Sequence, residues 1–112
     1  MGSSRRATHG YRGDMSKRDP LSAEALRAAL LALPGWRHED DSLVRRFELR
    51  GFREAMAFLV RIAFEAEQRG HHPEIANVYG RVDLRLRTHD AGNRVTQLDV
   101  ELARAIDDVA RT

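Results

Sequence analysis

With 112 residues, 42% of them hydrophobic and 32% charged, the chain is sized and composed as one soluble globular domain with one modest core. It has no cysteine, which excludes disulfides and thiol chemistry and makes a reducing, cytoplasmic setting the expectation. No apolar run is long enough to span a bilayer or to serve as the core of a secretory signal. The net charge of +2 is unevenly placed: residues 1–19 carry five basic side chains against two acidic, and residues 20–112 carry fourteen against fifteen. The body therefore lacks the basic excess of a nucleic-acid-binding face.

Residues 1–19 hold Gly2, Ser3, Ser4, Gly10 and Gly13 with little apolar periodicity, and are read as a disordered basic extension with Met15 as an alternative initiator. An Arg/Ser-rich start also resembles an organelle transit segment, but the amphipathic stripe of one is missing. Residues 20–112 read as a single domain. Ser22 is a candidate N-cap, followed by Leu26, Ala29, Leu30 and Leu33 at helical spacing and stopped by Pro34-Gly35. A strand over Trp36–Glu39, a turn at Asp40-Asp41 and a strand over Leu43–Leu49 come next.

Phe52, Ala55, Met56, Leu59, Ile62, Ala63 and Ala66 recur at three and four, the mark of a long amphipathic helix, and Gly70 is placed to end it. Pro73 biases His72 out of the α region. The chain then extends through Ile75–Tyr79, turns at Gly80-Arg81 and extends again over Val82–Thr88. Thr96 with Asp99 three residues on is a capping box, and Leu98, Leu102, Ala105, Ile106 and Val109 mark a last helix. The order α-β-β-α-β-β-α predicts an α+β fold, a four-stranded antiparallel sheet with three helices packed on one face.

Three of the five histidines fall between Glu67 and Asp99: Glu67-x-x-x-His71-His72-Pro73, then Thr88-His89, then Thr96-x-x-Asp99. Imidazoles beside carboxylates suit proton transfer near neutral pH. Taken singly, each piece has a plainer reading. A His-His pair before proline is an ordinary helix-end loop, Glu67 a solvated helix residue, Trp36 a core residue, Val78 and Tyr79 sheet packing, and Asp99 only a cap. Zinc is disfavoured, because adjacent histidines diverge and no thiolate is available. His9 and His38 have no supporting context.

Together the spaced residues resemble the pterin-4a-carbinolamine dehydratase family, whose hallmark is Glu-x-x-x-His-His-Pro closed by a later Thr-His. Gly35-Trp36, Phe47-x-Leu49-x-x-Phe52 and Val78-Tyr79 extend the likeness over about residues 20–110. Leu49 stands where members usually carry Phe. Gly70 stands where Asp or Asn is common before the histidine pair. Residues 90–95 form a loop one residue longer than usual, in which Asn93-Arg94 interrupts a typical Gly-Leu-Thr.

The resemblance implies dehydration of 4a-hydroxytetrahydropterin to quinonoid dihydropterin, recycling tetrahydropterin for aromatic amino acid hydroxylases. It implies a small-molecule pterin as substrate, with no bound cofactor, no metal, no membrane or direct nucleic-acid partner, and a homodimer or homotetramer. His71, His72 and His89 are the expected proton-transfer and orienting groups, with Glu67 setting the charge of one imidazole. Trp36 would stack on or wall off the flat pterin, and Pro73 and Asp99 would shape the edge of the site. Relatives that resemble this family also act as dimerisation cofactors or assembly chaperones, so a non-catalytic binding module on the same scaffold is the alternative. Retention of all three histidines favours the enzyme.

Overall fold

The computed structural model describes residues 17–112; the reading of residues 1–16, with His9 and Met15, lies outside them. The elements in chain order are α1 (Ala23–Leu31), β1 (Arg37–Glu39), β2 (Ser42–Glu48), α2 (Phe52–Arg69), β3 (Glu74–Val78), β4 (Arg81–Leu86), one turn of 3₁₀ helix (His89–Ala91) and α3 (Gln97–Arg111). The strands form one antiparallel sheet in the order β1-β2-β4-β3, so the expected architecture stands. Of the anticipated extension, residues 17–19 are described, and Lys17 and Arg18 lie beside Glu101 and Asp90 at 3.5 and 3.4 Å.

Local chemistry explains the boundaries. Ser22 Oγ accepts from Ala25 N at 3.1 Å and starts α1. Asp40 and Asp41 both take positive φ, the conformation of a two-residue turn whose twist suits a hairpin. The β3–β4 turn lies one residue earlier than the sequence suggested. Tyr79, expected to pack in the sheet, instead takes φ +52° and is exposed, while Asn77 Nδ2 donates to the carbonyls of Tyr79 and Arg81 and clamps the turn. Gly80 is required there by proximity: a Cβ would lie 2.6 Å from the Leu49 carbonyl oxygen, whose own N–H donates to Gly80 O.

The register sets Leu43, Arg45 and Phe47 of β2 opposite Leu86, Leu84 and Val82 of β4. This face, with Trp36 and Leu33, meets Ala55, Phe58, Ile62 and Ala66 of α2 and Val100, Leu102, Ala103 and Ile106 of α3. Phe58 is a main core side chain that the predicted stripe left out, whereas Phe52 and Ala63, inside that stripe, are exposed. Burying one such aromatic contributes about 2–3 kcal/mol. The opposite sheet face is a lattice of charges. Arg46 pairs with Asp83, Arg37 with Glu39, and Arg87 with Glu74. The Arg46 guanidinium beside Asp83 holds that carboxyl below its usual range, as Arg37 does for Glu39.

Candidate active site

The end of α2 delivers the histidine pair. Gly70 adopts φ +61°; its N–H donates to Glu67 O, and the N–H of His71 donates to Ala66 O, which is the Schellman closure of a helix. The closure pins the His71 backbone to the last turn. Its imidazole is thereby turned inward, 2.6 Å from Nε2 to Asp99 Oδ1, while Pro73 ends helical geometry beyond His72.

Asp99 is 0% exposed and occupies the first turn of α3. Its Oδ2 accepts from Thr96 N and from Thr88 Oγ1, each at 2.8 Å. Because the single Thr88 hydroxyl proton is committed to Asp99, the 2.7 Å contact between Thr88 and Thr96 hydroxyls is a donation from Thr96 to Thr88. The cap thus satisfies one carboxylate oxygen and leaves the other for His71. An ionised Asp99 only accepts, so His71 Nε2 carries a proton and Nδ1 is the nitrogen left for a ligand.

His89 opens the 3₁₀ turn just past β4 and is exposed, with Nδ1 2.6 Å from Asn93 Oδ1. His72 is exposed as well and lies 3.0 Å from Glu67 Oε1. The sequence suggested that Glu67 could share a helical face with His71. The helix closes at Gly70 before that geometry is reached, so Glu67 meets His72 and Asp99 serves His71. Arg18, Gly70, His71, His72, Arg87, Thr88, His89 and Asp90 line one open cleft, so all three histidines front the same space.

Trp36 is not part of that cleft. It is 4% exposed and stands edge-on to Phe47, with Nε1 donating to Asp107 Oδ1 at 2.9 Å, so it has no free face for a flat ligand. Asp99, given only the edge of the site by the sequence, is the buried anchor beneath it. Thr88, Asn93 and Arg18 were missed as contributors. The Thr88-His89 dipeptide was a signal for the first, and the lengthened loop a signal for the second. A larger groove on the open sheet face holds the paired charges described above and no histidine. Among the described residues no three histidine or acidic side chains converge on a metal position, and no helix is long and apolar enough to cross a membrane.

The model of the family described as pterin 4 alpha carbinolamine dehydratase matches residues 19–109. A protein of Opitutus terrae named "Putative pterin-4-alpha-carbinolamine dehydratase" is 51% identical over 90 residues, covering 80% of this chain and 93% of its own. A protein of the same name from a Bradyrhizobium species is 54% identical over 92 residues, with 80% and 92% covered. The crystal structure of a transcriptional coactivator/pterin dehydratase from Brucella melitensis superposes with a TM-score of 0.78 at 38% identity, over 82% of this chain and 99% of that one.

Proposed function

This chain belongs to the pterin 4 alpha carbinolamine dehydratase family, and we propose that it removes water from 4a-hydroxytetrahydropterins to give quinonoid dihydropterins. The observation that carries this reading is the pairing of His71 and His89 across one cleft. Each imidazole has one nitrogen tied down, by Asp99 and by Asn93, and the other free for a ligand.

The reaction breaks the N5–H and C4a–O bonds, forms C4a=N5 and releases water. Hydroxide is a poor leaving group, so one imidazole, entering the step as the doubly protonated imidazolium, delivers a proton to the departing oxygen while the other, entering neutral, takes the proton from N5, and solvent exchange returns both to their starting forms; each such group contributes about 100- to 10,000-fold. The free nitrogens for these transfers are His71 Nδ1 and His89 Nε2. Asp99 keeps the His71 ring oriented, as a carboxylate does behind a working histidine. The His72–Glu67 pair is solvent-facing and orients substrate at the cleft rim, with Pro73 holding the loop. All proton traffic is assigned to these side chains, without metal or bound cofactor, so activity is expected to survive EDTA; a loss restored by zinc would refute that part. The setting is cytoplasmic, and the product feeds the reductive recycling of tetrahydropterin for aromatic amino acid hydroxylases.

A homodimer or homotetramer is part of the same reading. Phe52, Val60 and Phe64 on α2 are exposed, an apolar surface of the kind that partner subunits cover. Light scattering at micromolar concentration is expected to give a multiple of the chain mass, and a monomer mass would refute it. A second reading, a non-catalytic binding or assembly module, draws on the coactivator half of the Brucella protein's name. The separating test is turnover of freshly generated 4a-hydroxytetrahydropterin: acceleration over the buffer rate is expected, and pterin binding without acceleration would leave the module standing.

A further inference from the structure

We propose that Asn93 is a positioning residue for His89, holding its imidazole as the Nδ1–H tautomer so that Nε2 keeps a free lone pair. What that lone pair does rests on the dehydratase reading; the contact itself does not. Asn93 Oδ1 lies 2.6 Å from His89 Nδ1. An amide oxygen only accepts, so the nitrogen facing it donates and, in a neutral ring, the remaining nitrogen is bare.

The backbone is built to present this side chain. Asn93 adopts φ +62° directly after Gly92 at +71°, and its N–H donates to Thr88 O at 3.0 Å. The base of the loop is closed by Thr88 N donating to Arg94 O at 2.9 Å, within a Thr88–Arg94 bridge. Among side-chain-bearing residues, asparagine is one of the few that takes the left-handed region readily. Asn93 therefore reconciles two demands, a positive φ and an acceptor aimed at the first residue of the turn. It also lies in the segment where this chain departs from the pattern of its family.

The closeness of glycine and asparagine in backbone preference makes a clean test. Asn93→Gly keeps the left-handed residue and removes only the side chain. Asn93→Asp keeps the acceptor and, since a carboxylate cannot donate, enforces the Nδ1–H form whichever way the native amide is turned. The readouts, on the full chain at about pH 8 where histidine is ordinarily neutral, are nitrogen–proton multiple-bond NMR of the imidazoles, with His89→Ala to assign the signals, and steady-state turnover. The expected result is an Nδ1–H signature in wild type and Asn93→Asp, and an admixture of Nε2–H in Asn93→Gly. Turnover in Asn93→Gly falls about three- to tenfold in kcat, the worth of one hydrogen bond, with KM little changed, and Asn93→Asp restores it. An Asn93→Gly protein with wild-type signals or wild-type kcat overturns the proposal, as does a wild type that is already Nε2–H. If wild type gives no acceleration at all, the dehydratase reading falls, while the imidazole signals still decide whether Asn93 holds the ring.

Discussion

Each end of α3 buries an aspartate, Asp99 at 0% and Asp107 at 8% exposure, and their surroundings differ in kind. Asp99 is in the first turn, where backbone N–H groups and the helix dipole favour an anion. A backbone donor and a threonine hydroxyl saturate Oδ2, and Oδ1 is left over for His71. Asp107 is near the other end, where the dipole opposes an anion. Its Oδ1 takes both Trp36 Nε1 and Arg45 Nη1 at 2.9 Å, and the guanidinium, stacked 4.2 Å from the Phe47 ring centre, neutralises it. A carboxylate already solvated by a cap has capacity to orient a reactive group. One that needs a cation to be tolerated is consumed by structure.

The hardest break of this comparison is at the histidines. Replacing His71 and His89 together by Ala is expected to bring turnover near the uncatalysed rate, each alone costing about 100- to 10,000-fold, with circular dichroism unchanged. A double mutant as fast as wild type would end the acid–base reading. Next come the two aspartates. Asp99→Ala removes the cap and the His71 anchor; about 2–3 kcal/mol of stability and about 10- to 100-fold in kcat should go together. Asp107→Ala strands a partly buried guanidinium and an indole N–H, at a similar cost of about 2–3 kcal/mol, but kcat per folded molecule should not move. Equal rate losses in the two variants, measured with urea melts alongside, would erase the distinction.

The smallest effect is on the open sheet face. Asp83→Asn should cost less than about 1 kcal/mol, since the Arg46 pair is solvated. Asp83 has a folded pKa below its unfolded one, so the pair's contribution is present above the unfolded value and lost as pH falls through the folded one. The gap between wild type and Asp83→Asn should therefore close on acidification. A gap that widens would contradict the assigned pairing.

Periodicity and punctuation carried most of the architecture into the sequence. Ser22, Gly70 and Thr96 mark helix ends through chemistry within a few residues, and all three do so in the structure. Strand limits slipped by one or two residues; in the β3–β4 hairpin Tyr79, nominally a good strand residue, instead takes a positive-φ turn position beside Gly80, which approaches Leu49 closely. The site was legible as a set of residues but not as a set of partners. That His71 meets Asp99 and Trp36 meets Asp107 depends on how α2, α3 and the sheet dock, and no local pattern encodes contacts so far apart in the chain; Glu67 meets His72 within five residues, through the closure of α2 at Gly70. Asn93 was visible only as an irregularity in a loop.

Trp36 is the only tryptophan in the chain, and its indole is sealed against Asp107 and Phe47, away from the cleft of the histidines. Its fluorescence is therefore a built-in optical probe of the far side of the core. The cleft in turn draws on the end of α2, the exit of β4 and the start of α3, so it exists only when those elements are docked. In a denaturant titration the emission of Trp36 and the turnover of substrate should share one midpoint, as befits a small domain that melts as a unit. Catalytic competence in this chain is then a direct measure of its folding cooperativity.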